Sequence, residues 1–145
     1  MGKKKQADHN ADTRGGQWIG LPRCVKRSHS YATLSFSARA VLIEILDQFN
    51  GFNNGKIVIS QAQLMIGLGT TSQHTVKNAV AELMEHGLID VPFEGEWKQR
   101  KAREFRITFI NTTRANAHVR ATNDYLDFNG VKRRDKKKNQ LAMPK

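Results

Sequence analysis

The chain has 145 residues and a formal net charge of +11, with 39% hydrophobic and 26% charged residues. That length can bury one modest core, and the polarity excludes a membrane-spanning protein: the longest apolar candidate, Ala40 to Leu46, is broken by Glu44. A single cysteine, Cys24, excludes an internal disulfide and is expected as a half-buried thiol.

The charge is unevenly placed. Residues 1–30 carry seven basic and two acidic side chains, residues 131–145 seven and one, and residues 31–130 ten of each. The folded body is therefore neutral overall, and the excess sits in two tails of the kind that bind nucleic-acid phosphates. The lysines at the start have no apolar stretch behind them, and Gln6 stands where a myristoylation start needs Ser or Thr. Neither a secretory signal nor a lipid anchor is expected, and a cytoplasmic location is.

In chain order, the polar residues 1–16 are expected to be disordered. Trp18, Ile19 and Leu21 are expected as an arm docking on the body within residues 17–33, with a short helix from Pro22 to about Ser28. Either Ser35 or Ser37 can cap the first long helix, and with Ser37 as cap Phe36 and Val41 have staple spacing. In that helix Ala38, Val41, Leu42, Ile45, Leu46 and Phe49 form one apolar stripe. Asn53-Asn54-Gly55 is a turn, and Lys56–Ile59 a short β-branched strand. Ser60 and Gln63 have capping-box spacing for a second, short helix that Gly67 should stop. Ser72 caps a third helix from Gln73 to about His86, ended by Gly87, with Val76, Ala79, Val80, Leu83 and Met84 on its apolar face. A strand from Leu88 to Phe93 should lie at an edge or bulge, because Pro92 has no N–H to give. After the loop Glu94–Ala102, a strand from Arg103 to Ile110 alternates Phe105, Ile107 and Phe109 with Glu104, Arg106 and Thr108. Beyond Asn111 the pattern weakens, except that Thr122-Asn123-Asp124 can cap a turn carrying Tyr125, Leu126 and Phe128.

This order of elements predicts an α+β fold in which a three-stranded sheet flanks three helices. The segment Leu68-Gly69, then Ser72-x-x-Thr75-Val76-x-x-Ala79, then Glu82-Leu83-x-x-x-Gly87-Leu88-Ile89 resembles the helix-turn-helix of bacterial winged-helix regulators of GntR and MarR type. It is also similar to the winged-helix modules of plasmid and phage replication proteins. The turn departs from the GntR-type pattern by carrying two residues, Thr70-Thr71, where one is usual. The resemblance implies a winged helix-turn-helix domain over residues 34–110, with a β-hairpin wing, an extension over 111–130 and a basic tail over 131–145. It implies that the third helix enters the major groove of duplex DNA while wing and tails contact the backbone.

The residues themselves point the same way. With Val76 at the centre of the buried face and about 100° per residue, Gln73, His74, Lys77 and Asn78 face outward beside Thr71 and Ser72. Asn and Gln can bond adenine edges, Lys can reach guanine or phosphate, and hydroxyls can bond phosphate. Residues 95–106 hold five basic and two acidic side chains, the one local basic excess in the body. Lys98, Arg100, Lys101 and Arg103 are therefore expected on phosphates or in the minor groove. Trp97 can wedge into DNA, but cover from the sheet is the expected outcome for its ring. No nucleophile elbow, phosphate loop, paired carboxylates or metal-ligand spacing among the histidines is present, so neither an enzyme nor a cofactor nor a small-molecule ligand is expected. The expected partner is double-stranded DNA, for transcription control or for replication or partition of a mobile element, with association with the nucleoid. A homodimer is compatible with this, although no heptad follows the domain to support a coiled coil.

Overall fold

A computed structural model describes residues 12, 14–114 and 117–130. The chain is mixed α+β: five helices, two small antiparallel sheets and a 3-10 turn among the described residues. None of these helices is long and apolar enough to cross a membrane.

The single helix expected after Pro22 is two single-turn helices, α1 (Arg23–Lys26) and α2 (His29–Ala32). Ser28 divides them, because its hydroxyl accepts the Tyr31 N–H and opens a new helix. Val25 is buried and Leu21 packs against the core, but Trp18 and Ile19 stay substantially exposed, so the arm docks only through its second half. Cys24 is exposed rather than half-buried.

Helix α3 (Phe36–Asp47) takes Ser35, not Ser37, as its cap, with the Ser35 hydroxyl accepting the Ala38 N–H at 3.2 Å. Phe36 is thereby the first helical residue and lies 86% exposed, so no staple forms. The expected stripe is buried: Ala38, Val41, Leu42, Ile45 and Leu46, with Phe49 packed at its edge.

Helix α4 (Gln61–Leu68) opens with the full capping box, Ser60 accepting from the Gln63 backbone and the Gln63 side chain accepting from the Ser60 backbone. It runs through Gly67 and stops at Gly69, which is left-handed at φ 65°. Gly69 N–H reaches Ile66 O at 3.1 Å and Thr70 N–H reaches Met65 O at 3.0 Å, a paired ending that needs a residue tolerant of positive φ. Gly67 has another use: a Cβ there would meet the Glu44 carboxylate of α3.

Helix α5 (Gln73–Glu85) is capped by Ser72, whose hydroxyl accepts the Thr75 N–H at 3.2 Å. Gly87 ends it as Gly69 ends α4, with Gly87 N–H on Met84 O and Leu88 N–H on Leu83 O. A Cβ on Gly87 would lie 2.6 Å from Asp124 O, so the C-terminal segment also depends on this glycine. The core gathers between α3, α4 and α5, where Leu42, Ile45, Leu64, Val76 and Leu83 are buried together with Ile57, Ile89 and Ile107 of the strand region.

Strands β1 (Ile89–Phe93) and β2 (Glu104–Ile107) form an antiparallel pair. Its register shifts between Asp90 and Phe93, placing Pro92 at the expected bulge. The third strand expected at Lys56–Ile59 is one bridge, Ile57 to Phe105, because the capping box begins the next helix at Ser60. Strand β2 also stops early. Thr108, expected to face outward, is buried and donates its hydroxyl to Gly87 O at 2.6 Å, which turns the chain out of the sheet.

A second hairpin, β3 (Thr112–Arg114) with β4 (Ala117–Val119), was not legible, since this stretch has no apolar alternation. The 3-10 turn Asp124–Asp127 follows, without a side-chain cap; Tyr125 is buried, Phe128 stacks on His86 at 4.0 Å, and Leu126 is exposed. Burial raises the Tyr125 phenol above its ordinary pKa, and the nearby Cys24 thiol adds to the effect.

Candidate nucleic-acid interface

Helices α4 and α5 are joined through Gly69, Thr70, Thr71 and Ser72. The Thr70 hydroxyl accepts the Ser72 N–H at 3.1 Å, and the Gln61 side chain donates to Gln73 O at 3.3 Å, tying the start of α4 to the start of α5. These bonds fix the direction in which α5 leaves the turn. Because Val76, Ala79, Val80 and Leu83 are buried, the opposite face of its first two turns is open.

Thr71, Ser72, Gln73, His74, Lys77 and Asn78 are all exposed. The side chains of Gln73, His74, Lys77 and Asn78 make no hydrogen bond or ion pair among the described residues. Ser72 differs, since its oxygen is already engaged as the helix cap.

The hairpin β1–β2 adjoins this face. A recess of ≈ 300 Å³ lies between α4, α5 and the hairpin, lined by Ser60, Gln61, Lys77, Ala102 and Arg103 above apolar residues. Through Lys77 the flank of the outward face of α5 thus borders the base of the hairpin.

The five basic residues of this hairpin are not equivalent. Arg103 pairs with Glu94, Nε to Oε2 at 3.0 Å, and lies over the Phe105 ring at 5.4 Å. Arg106 grips Asp90 on the neighbouring strand through Nε and Nη2, and donates to Thr122 at 3.1 Å. The hydrogen bonds that Arg106 donates to Asp90 raise its pKa above the ordinary value against the opposing effect of burial, with the charges of Asp90 and Asp124 adding to the rise. Lys98, Arg100 and Lys101 are exposed, and their side chains carry no ion pair among the described residues. Arg103, expected beside them on DNA, is instead held by the hairpin.

The hairpin tip is closely bonded. Glu96 and Lys101 exchange two backbone hydrogen bonds at 3.0 Å, and Arg100 N–H closes on Trp97 O at 3.2 Å. Arg100 is left-handed at φ 53°. Gly95 is also at positive φ, and a Cβ there would meet Lys101 O at 2.8 Å. This turn carries Trp97 away from the sheet and leaves it 96% exposed, so the expected cover is absent.

Two residues that frame the face were not foreseen. Glu82, late on α5, accepts from Ser35 N–H at 2.8 Å and from the Ser35 hydroxyl at 2.6 Å, so it anchors the start of α3. His86, just past the end of α5, is buried with Nδ1 2.7 Å from Ser30 O, while the Ser30 hydroxyl donates to His86 O. Both have partners about fifty residues away, beyond the reach of a local pattern. Of the two basic tails, only Asp12 and residues 14–16 are described; residues 131–145 lie outside the described residues.

No protein-family model matches the chain, and neither a curated protein nor a solved structure matches it.

Proposed function

We propose that this chain is a winged-helix protein that binds duplex DNA with sequence preference and acts by binding rather than by catalysis. In this reading α4 and α5 are the helix-turn-helix, α5 is the reading helix, the β1–β2 hairpin is the wing, and the bridge at Ile57 is a vestigial third strand. The observation that carries it is the proximity of two open sets of groups: the unengaged polar face on the first two turns of α5 borders, at Lys77, a hairpin whose tip holds three cations without an ion pair among the described residues. Gln73 and Asn78 offer donor–acceptor pairs suited to adenine edges, and Lys77 and the hairpin cations suit guanine or phosphate. The α5 N-terminus adds a partial positive charge at the same end. Glu94 is ion-paired with Arg103 and Glu82 is turned to Ser35, so of the acids nearest the hairpin tip Glu96 alone opposes the three cations there. The role that follows is transcription control, or replication or partition of a mobile element.

A binding selection from random duplexes tests this. Enrichment of a short motif is expected; recovery of no motif, or no binding at low salt, overturns it. A second reading, a protein-docking module, is favoured by the exposed Phe36, Phe52 and Ile66, and binding to no duplex would leave it standing.

A further inference from the structure

The tip of the β1–β2 hairpin combines features that duplex binding alone does not require. A cationic turn is enough to follow phosphates, yet this turn holds an indole almost wholly in water. The ring is not left out by slack chain: the paired Glu96–Lys101 bonds, the Trp97–Arg100 closure and Gly95 at positive φ hold the turn in one shape. Beside the ring is an open recess lined by Glu96, Lys98, Arg100, Lys101 and Ala102. Glu96 is the one acid of this turn, leaving residues 96–101 at +2.

We infer that the hairpin tip is a stacking site for an unpaired nucleobase, with Trp97 on the face of the base and Lys98, Arg100 and Lys101 on the flanking phosphates. The inference rests on the DNA-binding reading and adds to it a preferred substrate, duplex that borders an unpaired or opened stretch. A flat aromatic face with positive charges around it matches a base between two phosphates, and stacking accepts any base. An unpaired base is favoured over intercalation into an intact stack, because prying apart a base step consumes free energy that an already open base does not require. One indole on a narrow turn offers no second apolar group to enter a lipid surface, which separates this site from a membrane anchor.

The test uses the full chain with Trp18→Phe, so that Trp97 is the single indole. Its fluorescence and affinity are followed with three probes of mixed sequence: an intact duplex, the same duplex with a thymidine bulge, and that bulge built from abasic residues. Tighter binding to the thymidine bulge by about five- to a hundredfold is expected, with quenching of Trp97. Adding Trp97→Ala should abolish this preference, and Trp97→Phe should keep part of it. Equal affinity for the thymidine and abasic bulges overturns the inference while leaving duplex binding intact. Binding of the bulge, with no motif recovered from the random-duplex selection, overturns the reading of α5 and not the stacking site. A blue shift with phosphatidylserine vesicles and none with any DNA overturns both in favour of a lipid surface.

Discussion

At the first two turns of α5, the side chains of Gln73, His74, Lys77 and Asn78 make no hydrogen bond or ion pair among the described residues, whereas at the last two turns Glu82 holds Ser35 and His86 is locked against Ser30 and Phe128. The hairpin repeats this division: Arg103 and Arg106 at its base are paired, and Lys98, Arg100 and Lys101 at its tip have no ion pair among the described residues. Polar residues of the same types thus do opposite work within one element. A group bonded into the fold contributes to stability and has little left for a ligand. A group held out by a rigid scaffold can exchange water for a partner at small loss of conformational freedom. Residue type and net charge do not separate the two; distant contacts do.

The sharpest attempt to break this division is at the buried face. Leu83→Ala should destabilise the protein by about 2–5 kcal/mol, seen in thermal or denaturant unfolding, because Leu83 is fully buried. An unchanged melting temperature would put the helical phase in error and take the outward residues with it. Next comes the open face: Asn78→Ala should weaken binding to a selected duplex by about 1–3 kcal/mol and relax preference at one base pair. Its melting temperature should not move; a uniform loss across all sequences would make Asn78 a backbone contact.

Glu82→Ala should show the converse, a loss of about 1 kcal/mol in stability with base preference kept, since its two bonds to Ser35 lie near the surface. If its main effect were on DNA affinity, the separation of the two ends would fail. The smallest contrast lies in the hairpin. Replacing Lys98, Arg100 and Lys101 by alanine should lower the slope of log affinity against log salt by at most about three units, roughly 0.9 for each phosphate contact. Arg103→Ala should leave that slope nearly unchanged, as Arg103 is committed to Glu94. Equal slopes for the two variants would dissolve the distinction between base and tip.

Local signals proved legible where the physics is local. The Ser60–Gln63 capping box, the Ser72 cap, the Gly87 ending, the stripe of α3 and the Pro92 bulge all depend on residues within a few positions of one another. The differences arise where something outside the local pattern decides: a distant partner, the start of the next element or a closed turn. Thr108 looked outward by alternation, but the carbonyls of Gly87 and Leu88 draw its hydroxyl inward. The Lys56–Ile59 strand shrank to a bridge because the next helix begins too soon. Trp97 was expected under cover because indoles generally are, and only the closed turn explains why it is not. For the candidate interface, the outward residues of α5 followed from helical phase alone, whereas the loss of Arg103 to Glu94 required the hairpin register.

Asn54 gives the fold a temporal consequence. Its side chain, buried after α3, accepts Ile107 N–H at 2.7 Å and donates to Ile107 O and Ile110 O, each at 2.9 Å. The helices can begin from neighbouring residues as the chain emerges, but this tie must await a segment 53 residues further along. A nascent chain halted before Ile107 would hold α3, α4 and α5 with the Asn54 amide and the apolar strand region unsatisfied, a state suited to chaperone capture. Closing that long loop, rather than winding any helix, is then the step expected to set the pace of folding.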